Sequence, residues 1–156
     1  EELIVKMRSL NSHIGSWAPM AEQHAVARFL TNDNEVQSFL DHFKSEVDIR
    51  LRKIYEGFQQ LKKDGFPVDA IIPQAAIYLT VQINLVGKKT AEGLLLKEQH
   101  DVTAYLLSEA KLALVPFSAF GADKDNNWYR ISVGCCKKEE IETMFSKLRE
   151  ALVKLN

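Results

Sequence analysis

The sequence predicts a mixed α+β domain: a small β-sheet of about three strands packed by helices, one of them long and near residues 35–63. Three observations carry this. Val36, Leu40, Phe43, Val47, Leu51, Ile54, Phe58 and Leu61 step by threes and fours for about eight turns, a continuous helical stripe. The runs "AAIYLTVQI" (75–83) and "WYRISVG" (128–134) are rich in β-branched and aromatic residues, which suit a pleated, half-buried surface. The chain closes with a helix from about Lys137, whose stripe is Ile141, Met144, Phe145, Leu148, Leu152 and Leu155.

The remaining elements follow in chain order. Leu3, Ile4, Met7 and Leu10 recur at helical spacing and predict a helix over 1–10. "NSHIGSWAP" breaks it, and a second helix runs from Pro19, suited to a first turn, to Leu30. "TNDNE" is a turn that also carries N-cap candidates. The long helix is either a core-spanning element with one apolar stripe or a coiled-coil seam. Gly65 and Pro67 in "KKDGFP" stop it. After the first strand, "LVGKKTAEG" reads as a loop, and Asp101 is placed to cap a helix over 102–111. "LALVP" (112–116) is a short buried strand and "FSAFGADKDNN" a long loop. The order ααα-β-α-β-β-α therefore gives a small sheet with helices packed on it.

Composition narrows the function classes. A chain of 156 residues with 46% apolar and 26% charged residues has an ordinary globular mixture, enough for one core. A formal net charge of −1 gives no footprint for nucleic acid or a membrane surface. No apolar run approaches the roughly 20 residues that span a bilayer. "EELIVKMRSL" begins with two acids and lacks the apolar segment of a signal peptide. It reads as helix from its first residue and without Met, so the chain is expected to be cut from a longer protein. Cys135 and Cys136 are adjacent and form a strained disulfide at best, which favours free thiols and a cytoplasmic setting.

Several chemistries fail on spacing. His13, His24, His42 and His100 show no short metal pattern, so no metal site is expected. "GKKT" (87–90) resembles the end of a phosphate-binding loop, but Gln82 stands where its first glycine belongs. There is no G-x-S-x-G elbow, and Ser118 reads as a loop hydrogen-bonder. "KKEE" (137–140) reads as a solvated first turn, and Arg8, Arg28, Arg50, Arg52 and Arg149 as solvated helix residues. Arg130 stands apart. Alternation in "NNWYRISVG" puts Trp128, Arg130 and Ser132 on one face and Tyr129, Ile131 and Val133 on the other. A guanidinium there is either a solvated edge residue paired with a surface acid or a receptor for an anion.

The flanking pattern favours the receptor. Pro116, Ser118, Phe120 and Gly121, followed by Tyr129, Arg130, Ile131, Ser132 and Gly134, resemble the end of fold-type I, class I/II pyridoxal-phosphate (PLP) aminotransferases of the aspartate aminotransferase type. "SHIGSWAPMAEQHAVARFL", with Gln23 and Ala25, is similar to the segment after that family's PLP-lysine region. "AIIPQAAIYLTV" is similar to the strand opening its small domain. Phe117, Ala75 and Ala76 stand where the family has glycine, which implies a differently shaped side-chain pocket.

The resemblance implies a division at residue 34. Residues 1–34 follow an absent PLP-binding large domain, and residues 35–156 form the small C-terminal domain. It implies that Arg130 holds the α-carboxylate of the amino-acid or 2-oxo-acid substrate, with Ser16 a secondary candidate. The PLP lysine is expected upstream of residue 1, so this chain binds no cofactor alone and is inactive alone. The parent is a homodimeric amino-acid aminotransferase, aspartate-type by resemblance. The alternatives are a carbon–sulfur lyase or acyl-condensing synthase on the same scaffold. A third is a non-catalytic α/β module that binds a partner through the stripe of the 35–63 helix.

Overall fold

The computed structural model describes residues 2–15, 18–134 and 136–156. They form two compact units, the first ending at Phe43 and the second spanning Lys44–Asn156. The first unit contains helix α1 (Glu2–His13), helix α2 (Met20–Leu30) and the opening turns of helix α3 (Asp33–Lys63). No described residue of α1 or α2 is buried, and Leu3, Ile4, Met7, Val26, Phe29, Phe39 and Phe43 are all exposed. Phe39 stacks on Phe43 and takes Phe29 edge-on.

The second unit is a two-layer α+β fold. Its sheet has order β1-β2-β4-β3, all neighbours antiparallel, with β1 at Val68–Ala70, β2 at Tyr78–Ile83, β3 at Val115–Pro116 and β4 at Trp128–Ser132. One face of the sheet is covered and the other is open, so each strand alternates. Val68, Leu79, Val81, Ile83, Tyr129 and Ile131 point into the core. There they meet Leu51, Ile54, Phe58 and Leu61 of α3, helix α4 (Gln99–Glu109) through Val102 and Leu106, and helix α5 (Ile141–Val153) through Leu148 and Leu152. The long stripe thus behaves as a core helix over its C-terminal half.

Five details differ from expectation, each for a local reason. The sheet gains a fourth strand, β1, which at three residues is too short for alternation to register. Only Val115–Pro116 of "LALVP" pairs as strand. Helix α4 begins at Gln99 with Glu98 as its N-cap, and Asp101 sits three residues later as the reciprocal partner of a capping box. Its carboxylate accepts the Lys97 and Glu98 amides at 2.8 and 3.3 Å. "KKEE" is not merely solvated: Lys138 pairs with half-buried Glu46 at 2.8 Å. Arg50 is not solvated either, donating to the Glu46 and Cys136 carbonyls and so tying α3 to the approach to α5.

Candidate functional site

Arg130 lies at the middle of β4, an interior strand, so the edge-residue reading is wrong. Its Cα partners are Thr80 on β2 and Val115 on β3. The predicted alternation holds: Tyr129 and Ile131 are 0% and 4% exposed, while Arg130 is half-buried on the open face. Register places Tyr78, Thr80, Gln82, Trp128 and Ser132 on that same face.

What surrounds the guanidinium is aromatic. Its carbon lies 4.3 Å from the ring centroid of Tyr78 and 4.3 Å from that of Phe120. Such cation–π contacts contribute roughly 0.5–1 kcal/mol each at exposed sites. Among the described residues no carboxylate forms an ion pair with Arg130. Asp69, the acid on this sheet face, is held by Lys62 at 2.6 Å, which with its other hydrogen bonds keeps its carboxyl below the usual range. Nor does Arg130 line the two concavities, of about 580 and 640 Å³, that border α5. The result is a cation beside two aromatic rings and without an ion-pair partner among the described residues.

Sequence explains how Phe120 reaches that place. Pro116 ends β3 and begins a 3-10 turn over Phe117–Phe120, closed by Gly121 at φ 85°. That left-handed cap is where glycine is favoured. Phe117 braces Phe120 edge-on, with centroids 6.4 Å apart. Ser118 is a hydrogen-bonder, as expected, its hydroxyl donating to Gln99 Oε1 at 2.6 Å. Tyr78 arrives from the other side, after the loop 71–77. In that loop Ala76 sits at φ 64°, while Ala75 is not left-handed. An L-residue there costs roughly 1–2 kcal/mol, partly offset by the greater unfolded-state freedom of glycine. Ala76→Gly is therefore expected to raise stability by about 0.5–1 kcal/mol in urea denaturation, whereas Ala75→Gly should not.

Gln99 was missed by sequence reasoning. It is a buried amide, 6% exposed, donating to the Asn126 carbonyl at 2.6 Å and the Trp128 carbonyl at 3.4 Å. Only "EQH" at a helix start marks it in sequence, and nothing there signals burial. Beside it, Tyr129 is fully buried, its hydroxyl without a hydrogen bond of good geometry among the described residues. Burial pushes its pKa up to about 12, against the influence of Gln99. The folded pKa exceeds the unfolded value near 10, so this contribution is intact below pH 10 and lost as pH rises towards 12. The wild type should lose about 2–3 kcal/mol across that window from this group alone. Tyr129→Phe should change stability little at pH 7 and flatten the alkaline limb, as read by urea midpoints from pH 8 to 12.

Other expected features resolve plainly. Ser16 lies outside the described residues, as does Cys135. "GKKT" folds as a turn in which buried Thr90 accepts the Leu94 amide, with Lys89 bridged to Leu95. Glu98, His100 and Asp101 bring ligand atoms within 4.8 Å of one another, a grouping that histidine spacing alone did not reveal. Both acids there serve the α4 capping box at the positive end of the helix. No helix among the described residues is long and apolar enough to cross a membrane.

Comparison with known proteins agrees with the family resemblance read in the sequence. Residues 1–148 match the family profile described as aminotransferase class I and II. The chain belongs to the class I and II aminotransferase family. An aspartate aminotransferase of Rhizobium meliloti is 31% identical over 144 residues, 92% of this chain and 33% of that protein. A probable aspartate/prephenate aminotransferase of Rickettsia conorii is 35% identical over 81 residues, 51% of this chain and 19% of that protein. Among solved structures, the Rhizobium meliloti aspartate aminotransferase superposes with a TM-score of 0.66 at 27% identity, covering 77% of this chain and 28% of that one. An aromatic aminotransferase of Pyrococcus horikoshii superposes at 0.61 with 24% identity, over 84% of this chain and 31% of that one, which shows the fold alone. This family member spans about a third or less of the length of these relatives.

Proposed function

We propose that this chain is the C-terminal, small-domain part of a PLP-dependent amino-acid aminotransferase, aspartate-type, and that Arg130 holds the substrate α-carboxylate. The observation that carries the reading is the guanidinium 4.3 Å from the ring centroids of both Tyr78 and Phe120, without an ion-pair partner among the described residues. We read the two rings as covering its flat faces, which leaves the N–H edge as the route to the cation. That edge fits a planar two-oxygen anion approached side-on. The names of the aspartate and aspartate/prephenate aminotransferase relatives support the substrate class.

The residues around Arg130 do not fit the cofactor itself. The strand residues of the open face carry a guanidinium, hydroxyls, an amide, aromatic rings and the Asp69 carboxylate, and none of them is a lysine that could join the PLP aldehyde. When bound, PLP supplies the electron sink for amino transfer. This chain's part is orientation. Fixing the carboxylate at two points would orient the substrate for amino transfer, which raises rate as well as affinity. A central strand is a stiff mount for that group. Residues 35–156 are the small domain in this reading, with 1–34 following the cofactor-binding part.

The chain incubated with PLP and then reduced with borohydride tests the division of labour. The expected result is no stoichiometric adduct on any lysine. One lysine modified in full, with the fold intact, would show that the cofactor anchor lies within this chain.

A further inference from the structure

We infer that Gln99 is a positioning residue for the carboxylate receptor. Its amide latches the 117–128 segment so that Phe120 closes over Arg130. This inference rests on reading Arg130 as a carboxylate receptor.

The argument begins from cost. A primary amide in the first turn of α4 is buried, and burying it without partners costs several kcal/mol. Every side-chain partner it has lies on one distant segment. Oε1 accepts the Ser118 hydroxyl, and Nε2 donates to the carbonyls of Asn126 and Trp128. The two ends of the loop between β3 and β4 are thus pinned to one side chain. Ser118 lies in the middle of the 3-10 turn that carries Phe120. Trp128 is two residues before Arg130 on the same face of β4. Asn126, in turn, accepts the Trp128 amide on its side chain at 2.9 Å and donates to the Asp123 carbonyl at 2.7 Å, so the loop is tied inward from both ends.

Phe120 has no comparable support of its own. It is 55% exposed, and its aromatic and cation–π contacts among the described residues are with Phe117 and the guanidinium. An exposed ring stays over a cation only if its backbone is held. Releasing the turn frees Phe120 and returns rotamer freedom to Arg130. Immobilising one such side chain is worth about 0.5–1.5 kcal/mol, so carboxylate affinity should fall roughly two- to tenfold. Tyr78, mounted on β2, stays in place.

The test uses the full chain and the Arg130 Nε–Hε resonance, with acetate as the carboxylate probe. Two rings flanking the guanidinium shield its protons, so wild-type Hε is expected upfield of the exposed arginines and to move on acetate titration. Gln99→Met keeps the side-chain volume and removes all three hydrogen bonds. Ser118→Ala removes only the hydroxyl, and decides the matter alone if Gln99→Met does not fold. Both variants should lose the Phe120 share of the upfield shift and bind acetate two- to tenfold more weakly, with β2 amide shifts unchanged and β4 amides moved only beside Trp128. Ser118→Thr, which keeps the hydroxyl, should restore the shift. An unchanged Hε position and unchanged affinity in folded Gln99→Met and Ser118→Ala would overturn the latch. A shielded wild-type Hε that does not move with acetate would instead sink the receptor reading, and the latch would then be decided by the Hε shift of the variants alone.

Discussion

Arg130→Lys in the complete aminotransferase is expected to lower kcat/KM for the amino acid by roughly tenfold to a hundredfold, the equivalent of one charge-assisted hydrogen bond of about 1.5–3 kcal/mol. Lysine keeps the charge and loses the planar fork. It also loses the flat faces that Tyr78 and Phe120 cover at 4.3 Å, so the cation is no longer held edge-out. Arg130→Ala should cost more, because the substrate carboxylate then enters the site without a partner. Cofactor occupancy should stay unchanged in both variants, since no strand residue of the Arg130 face is a lysine. Steady-state kinetics of both half-reactions, with PLP content measured alongside, is the check. A surface arginine would move activity hardly at all and stability by a few tenths of a kcal/mol. Near-normal kcat/KM in Arg130→Ala would remove the carboxylate role.

The second large effect concerns Gly57. Glycine inside a helix is ordinarily a weakness, and Gly→Ala there gains about 1 kcal/mol. At Gly57 a Cβ would overlap the ring of Phe145, which packs on α3 and meets Phe58 edge-on with centroids 5.4 Å apart. Gly57→Ala should therefore destabilise, by about 1–3 kcal/mol of overpacking strain that exceeds the helical gain. Phe145→Ala alone should cost about 1–3 kcal/mol, less than a fully buried ring, because Phe145 is only partly buried. In that background the obstruction is gone, and Gly57→Ala should turn stabilising by about 1 kcal/mol. A double-mutant cycle by urea denaturation reads this change of sign. An additive cycle would mean that Phe145 does not set the approach of α5 to α3.

How much of this was legible in sequence depended on where each signal is stored. The C-terminal half of the long stripe gave the core helix because Leu51, Ile54, Phe58 and Leu61 repeat over several turns, and repetition is what periodicity detects. Arg130's face was readable from β4 alone, since alternation is a property of one strand. Its interior position was not, because strand order depends on pairing between distant segments. The short strand β1 lacks the length to show a pattern. Gln99 was illegible for a related reason: its burial and its partners come from a segment roughly twenty to thirty residues away, as contacts, not as local periodicity. The aromatic-Gly pair Phe120–Gly121 was visible as a motif, but only the turn geometry shows that the glycine's cap aims the ring.

The two-faced character of β4 also bears on how this region tolerates change in length. Tyr129 and Ile131 anchor the core while Arg130, between them, faces outward, so the strand's two roles share one phase. Inserting one residue within Trp128–Ser132 would exchange the faces, putting a guanidinium among apolar side chains and an aromatic ring into the open. The exposed stretch 122–125, by contrast, lies between the turn that carries Phe120 and the carbonyls that Gln99 holds. Extra residues there add little loop-closure entropy and leave both anchors in register. Length variation should therefore collect in that short window and be excluded from the strand beside it, so the spacing between Gly121 and Trp128 is free to drift while the spacing within the strand is not.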